Sequence, residues 1–238
     1  MSSDLPVTLA PARESRMPVK WRVLLGLQAA DGVALDELGA GLATWHRDVA
    51  LEWRGRGWSN RTGVRIPGTE AALQDSIGAM VGEEIAPLDA FATIDLEEYE
   101  PTGAHVEALL QPLDGLADAL DGVIDPQRSF AMAGLANLVT AADGPVALML
   151  MCTHRSGVEL VDTHAWWCTF GEAMRSMPST YTLGYHQVQC DPGVGSDAAR
   201  RSGLAPTSFD LGDLVYLCLL YTSPSPRDRT RSRMPSSA

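Results

Sequence analysis

His164 and His186 are the side chains best suited to exchange a proton in this chain, because imidazole is the group whose ordinary pKa lies nearest neutrality. His164 falls on a helical stripe with Leu160, Trp167, Gly171 and Met174. That position suits a hydrogen-bonded core histidine or an acid/base poised by partial burial. Tyr185 and His186 are neighbours in an extended segment, so their side chains point to opposite faces and only one of them lines a pocket. His186 is favoured for that place, since a ring nitrogen buried under apolar helices needs a partner. Tyr185 is kept as a substrate-binding candidate because the sequence does not settle the face. Arg155 ends an apolar run and either holds a substrate carboxylate or phenolate through paired hydrogen bonds or faces solvent. The Trp166-Trp167 pair shapes a ligand wall or packs in a core.

Cys152, His154, His164, Cys168, His186 and Cys190 lie close enough in sequence to raise a metal site. No Cys-x-x-Cys or His-x-x-x-His spacing supports one. The two strands that carry most of these residues are expected to stand two spacings apart, roughly 9 to 10 Å. No metal and no organic cofactor is therefore expected. Gly-x-Gly-x-x-Gly, P-loop and Gly-x-Ser-x-Gly patterns are absent, which removes the nucleotide and α/β-hydrolase readings.

The elements that must position these residues follow a repeating order. Trp21 to Gln28 reads as a strand, and Asp36 caps a helix in which Leu38, Leu42, Trp45 and Val49 form one stripe. Arg61 to Ile66 is a weaker strand, Thr69 opens a helical stretch, and Phe91 to Tyr99 alternates as a strand. Val106, Leu109, Leu110, Leu113, Leu116 and Leu120 keep a helical period, and Arg128 to Leu138 is extended. The second half begins the same way. Its apolar strand after Pro145 precedes a helix over Val158–Met177 and a strand over Thr180–Gln189. A short helix over Ser196–Gly203 and a strand over Phe209–Leu217 follow. APLDAFATIDLEEY at residues 86–99 echoes APTSFDLGDLVY at 205–216, each with Ala-Pro, a Phe, and Asp-Leu four residues after that Phe. The reading is α+β, with two tandem βαββαβ, or ferredoxin-like, repeats over 18–142 and 143–217, the second truncated. Paired repeats would supply the two sheets of one barrel-like core.

The second half resembles the EthD-like group of the dimeric α+β barrel superfamily. The resemblance rests on Arg155, Gly157, the helix carrying Trp166 and Trp167, the stretch MPSTYTLGYHQVQCDP and the closing FDLGDLVYL, over roughly residues 146–217. It implies a protein that binds a hydrophobic or aromatic metabolite in a pocket between sheet and helices. Such a protein would act as a cofactor-free cyclase, isomerase or accessory degradation enzyme, with His186 or His164 exchanging the proton. Arg155, Trp166, Trp167 and Tyr185 would contact the substrate. The alternative is a non-catalytic binding or homodimerisation module of the same fold. Members often carry a His four residues after the helix Trp. Here those positions are Phe170 and Gly171, so that proton-transfer role is not carried over.

The last 21 residues, Cys218 to Ala238, resemble the in-frame translation of a transposase-type sequencing-library adapter, with Arg229 to Arg231 spanning a sample index. The rival reading of SPSPRDRTRSR is a phosphorylatable, RNA-binding Arg/Ser arm. On the adapter reading the tail is non-native and irregular, and the second repeat loses its closing helix and strand. The net charge is −12, and −15 without the tail's four Arg and one Asp. An acidic chain has no footprint for a phosphate backbone, so nucleic acid is a poor partner. No apolar run has the length of a membrane span. Residues 1–17 read as a disordered leader, and the cysteine pattern suggests reduced thiols in a cytoplasm.

Overall fold

Alternation and helical period place most of the buried apolar side chains on one side of a single sheet and a smaller set on the other. The computed structural model describes residues 6–52, 58–69, 75, 88–96, 105–176 and 182–217. A short helix α1 (Ala10–Glu14) precedes strand β1 (Val19–Leu27), helix α2 (Leu35–Glu52), β2 (Trp58–Val64) and β3 (Ala90–Leu96). Helices α3 (Val106–Leu110) and α4 (Leu116–Ala119) lead to β4 (Phe130–Thr140). The second half holds β5 (Val146–Cys152), α5 (Leu160–Arg175), β6 (Thr182–Cys190), α6 (Pro192–Ser202), β7 (Ala205–Pro206) and β8 (Leu211–Leu217). The protein is α+β, with its sheet in the order β2-β3-β1-β4-β6-β8-β5. All neighbours in that order are antiparallel, and the two-residue β7 pairs parallel with β4.

The sheet curls so that its ends approach each other. Arg61 on β2, at one end, forms an ion pair with Asp143, which precedes β5 at the other. The same guanidinium lies 5.9 Å from the ring centre of Tyr216 on β8. On the outer face, Trp21, Val23, Leu25 and Leu27 of β1 pack with Leu38, Leu42, Trp45 and Val49 of α2 and with Leu109, Leu110, Leu113 and Leu116. The α2 stripe is the one its period predicts. Each fully buried leucine removes enough apolar surface from water to contribute about 1.5–3 kcal/mol. On the inner face, Leu24, Met132, Ala136, Val188, Leu214 and Tyr216 form a second cluster. Strand pairing is tight at Gly134, where an added Cβ would stand 1.8 Å from the Gln189 carbonyl oxygen, so no side chain fits.

Several elements differ from the reading of the sequence, each for a local reason. The helix expected from Val106 to Leu120 is broken into α3, a 3-10 turn at Gln111–Leu113, and α4. Pro112 has no N–H for a helical bond, and Gly115 takes the left-handed φ of 78°. The leucines remain buried in the outer-face cluster, because α3 packs on β1 and β3 while the 3-10 turn and α4 pack on the helix over Pro192–Ser202. Helix α6 starts at Pro192, earlier than expected. The Asp191 carboxylate accepts the N–H groups of Gly193 and Val194 at 2.9 and 3.0 Å, and proline suits the first helical position.

Residues 6–17, expected to be part of a disordered leader, carry a 3-10 turn and α1 packed on α5. Leu9 and Ala12 are fully buried there, and Met17 is nearly so. The helical stretch expected after Thr69, the expected strand beyond Leu96 and the adapter-like tail after Leu217 lie outside the described residues, Asp75 excepted. Among the described residues no helix is long and apolar enough to cross a membrane.

Candidate functional site

Opposite charges on neighbouring strands build a polar centre on the inner face. Registry sets Arg22 of β1 beside Asp95 of β3 and Gly134 of β4. The Arg22 guanidinium is fully buried and donates through Nε and Nη2 to the two Asp95 oxygens at 2.6 and 2.8 Å. Arg22 extends across β4, and its Nη1 lies 3.1 Å from His186 Nδ1 on β6. Lys20, one alternation before Arg22, places Nζ 2.6 Å from Asp95. Burial works against the ionised form of Asp95, but Arg22 and then Lys20 outweigh it and hold the carboxyl below its ordinary range. Burial likewise opposes the Arg22 charge, and Asp95 outweighs it.

The guanidinium fixes the state of His186. Arginine can only donate, so Nδ1 must be an acceptor and the single imidazole proton sits on Nε2. Burial and then the nearby Arg22 charge push the His186 pKa down to about 3. The ring is therefore neutral at pH 7 and is a hydrogen-bond donor there, not a base. His186 meets Tyr216 edge-on with ring centres 5.0 Å apart. Tyr216 in turn faces Arg61, and Arg61 pairs in register with Thr93 of β3. Three of these residues each leave a buried polar atom without a hydrogen-bond partner among the described residues: His186 Nε2, Tyr216 Oη and Thr93 Oγ1. Their residues are 2 %, 2 % and 0 % exposed, so water cannot satisfy them from bulk.

The residues singled out by sequence do not gather in one place. His186 lies on the inner face of the sheet. Tyr185 lies on the outer one, where its hydroxyl accepts Gln187 Nε2 at 3.1 Å and bonds Asp213. His164 is buried between α5 and the N-terminal segment, its Nδ1 2.6 Å from the Thr8 carbonyl oxygen, so the sheet separates it from His186. Burial lowers its pKa as well. Arg155 is exposed between β5 and α5. Trp166 is 60 % exposed and stacks on Phe170, while Trp167 donates Nε1 to Asp213 at 3.3 Å. Asp213 sits beneath α5, and burial pushes its carboxyl up to about 7 against the hydrogen bonds from Trp167 and Tyr185.

The space between α5 and the sheet is bridged by side chains. Gln187 and Gln189 donate to the Trp167 carbonyl and the Cys168 sulfur, and Asn137 also donates to Cys168. Strand β8 separates the Cys152 strand from the His186 and Cys190 strand. Among the described residues no group of three or more His, Cys, Asp or Glu side chains is arranged to hold a metal ion.

Sequence reasoning missed Lys20, Arg22, Asp95, Thr93, Tyr216 and Arg61. Its one available signal was parity. Lys20 and Arg22 fall on one face of a strand whose other face is Trp21, Val23 and Leu25, and Asp95 interrupts a similar run. Comparison with protein-family models, with curated proteins and with solved structures finds no match for the chain.

Proposed function

We propose that the chain is a small-molecule-binding protein that holds a hydrophobic or aromatic metabolite against the inner face of its curled sheet, at His186. The observation that carries this reading is the set of unpartnered buried atoms on Thr93, His186 and Tyr216. A buried polar atom without a partner costs about 1–3 kcal/mol, and a ligand oxygen removes that cost. The helix side of the sheet, where a pocket would lie by resemblance, is occupied by the glutamine and asparagine bridges to α5.

Two tandem ferredoxin-like repeats of the EthD-like kind remain the proposed architecture. The order β2-β3-β1-β4 is the one a βαββαβ unit adopts, and β6-β8-β5 repeats its first three positions. One observation weighs against a close duplication: the two echoed aspartates face opposite ways, Asp95 inward and Asp213 toward α5.

Binding without proton transfer is the leading reading, because His186 Nδ1 is occupied by Arg22 and the ring stays neutral. An isomerase or cyclase would use His186 only as a donor to an oxygen on which negative charge develops. Calorimetric titration at pH 7 with 2-naphthamide, a neutral aromatic probe with one acceptor oxygen, tests the site. One-to-one binding is expected, weakened about tenfold in His186→Leu and in Tyr216→Phe, the loss of one hydrogen bond each. Binding that is indifferent to both substitutions, with folding of both variants checked by circular dichroism, would remove the site from the inner face.

A further inference from the structure

The N-terminal segment is tied to the rest of the protein by few apolar groups and by one histidine. Residues 6–17 cross α5 and β4 as a 3-10 turn followed by α1. Leu9, Ala12 and Met17 are buried there, while Val7, Arg13, Glu14 and Arg16 are exposed. An anchorage this small lets a segment open without the sheet beneath it. Polar contacts set its position. The Thr8 hydroxyl donates to the Asp191 carboxylate at the start of α6, and the Arg16 N–H donates to Glu172 of α5 at 3.2 Å. His164 of α5 supplies a third tie, with Nδ1 2.6 Å from the Thr8 carbonyl oxygen. A carbonyl only accepts, so the imidazole proton sits on Nδ1 and Nε2 is left as a lone pair.

That lone pair is buried and has no hydrogen-bond partner among the described residues, and His164 is 0 % exposed. The neighbours from β6 and from α5 itself are neutral. Gln189 donates to the His164 carbonyl at 3.4 Å and to the sulfur of Cys168, one turn further along. The charged groups acting on the ring are Asp191, before α6, and Asp210, before β8. Asp191 already accepts from Gly193, Val194 and Thr8, and Asp210 from His154. Burial disfavours a second proton on the ring and outweighs the pull of the Thr8 and Asp210 carbonyls and these two carboxylates. Once water reaches the ring that penalty is gone, and the proton binds near the ordinary value of about 6.5. The closed form therefore has its full stability above that pH and loses it as the pH falls.

We propose that residues 6–17 form a strap that lies closed over the helix side of the sheet while His164 is neutral and opens on acidification, ahead of the fold as a whole. Opening uncovers Cys168, whose thiol donates to the Pro11 carbonyl of the strap at 3.4 Å.

The three free cysteines of the described chain make the test possible in the unaltered protein. Cys152 is exposed, Cys168 lies under the strap, and Cys190 packs with Met132, Ala136 and Val188 on the inner face. Labelling by 4,4′-dithiodipyridine, a reagent that attacks thiols in acid as well as at neutral pH, is followed at each site by peptide mass. Relative to Cys152, the rate at Cys168 is expected to rise about tenfold from pH 7.5 to 5.5, while Cys190 stays protected. In His164→Gln, whose amide can still donate to Thr8 but does not titrate, that rise should vanish. Leu9→Ser should raise Cys168 labelling at least about tenfold already at pH 7.5, again without Cys190. A Cys168 rate that does not change with pH, or that rises equally in His164→Gln, would overturn the role of His164. Cys168 and Cys190 rising together, or Cys168 indifferent to Leu9→Ser, would overturn the strap.

Discussion

Replacing Asp95 with leucine is expected to lower the unfolding free energy by about 3–5 kcal/mol, a large part of what a domain of this size has to spare. The reason is the partner left behind. Arg22 is fully buried, and without Asp95 its guanidinium keeps one contact, the Nδ1 atom of His186. Lys20 loses the same carboxylate but is 16 % exposed and can turn its ammonium to water. Arg22→Met in the Asp95→Leu background should recover most of the loss, because an apolar pair of similar volume carries no desolvation penalty. Urea unfolding of the two single variants and the double variant measures this as a cycle. A cost below about 1 kcal/mol for Asp95→Leu would mean that the pair is solvated and that the inner face is open to water.

The pH dependence of stability should expose two buried groups that oppose one another. His186 has a folded pKa of about 3 against an ordinary value near 6.5. Between these values the unfolded chain binds the proton and the folded one does not, so this residue makes stability rise with pH. Asp213 has a folded pKa of about 7 against an ordinary value near 3.9. Between those the folded chain holds the proton, so this residue makes stability fall as pH rises. Their windows overlap from about pH 4 to 6.5, where the two slopes largely cancel.

Removing either group should reveal the other. In Asp213→Asn stability should climb with pH across that window by up to about 1.4 kcal/mol per unit, and the lowered pKa of His164 adds to the same direction. In His186→Gln only His164 is left to oppose Asp213, so that climb should be lost. Urea midpoints measured at half-unit steps decide the matter. Parallel profiles for the two variants would show that at least one of these groups titrates as an ordinary solvated side chain.

How much of this was readable from sequence depends on the distance over which each feature is decided. The stripe of Leu38, Leu42, Trp45 and Val49 was legible because a helix writes its burial into one period of its own residues. Alternation placed Tyr185 and His186 on opposite faces for the same reason. Helix α6 was read four residues short because Asp191-Pro192, a cap and a first-turn proline, lay outside its weak apolar period. The leader was misjudged over residues 6–17 because its anchors, Leu9 and Ala12, are too few to show a pattern, and only α5 makes them buried.

The inner-face centre was hidden more deeply. Arg22 and Asp95 are 73 residues apart, and Arg22 and His186 are 164 apart. Nothing short of the strand order says that β1 lies between β3 and β4, or that an arginine on β1 meets a histidine on β6 across β4. His164 and His186 looked alike as proton carriers in sequence, yet the sheet stands between them.

The protonation of His186 is where the inner-face assignment can be read most directly. Imidazole nitrogen-15 shifts of His186 at pH 7, recorded with and without saturating 2-naphthamide, report each ring nitrogen separately. A neutral ring with its proton on Nε2, an acceptor Nδ1, and a shift of the Nε2 signal when the amide is added is the expected result. A proton on Nδ1, or an Nε2 signal that does not move when the amide is bound, would contradict it.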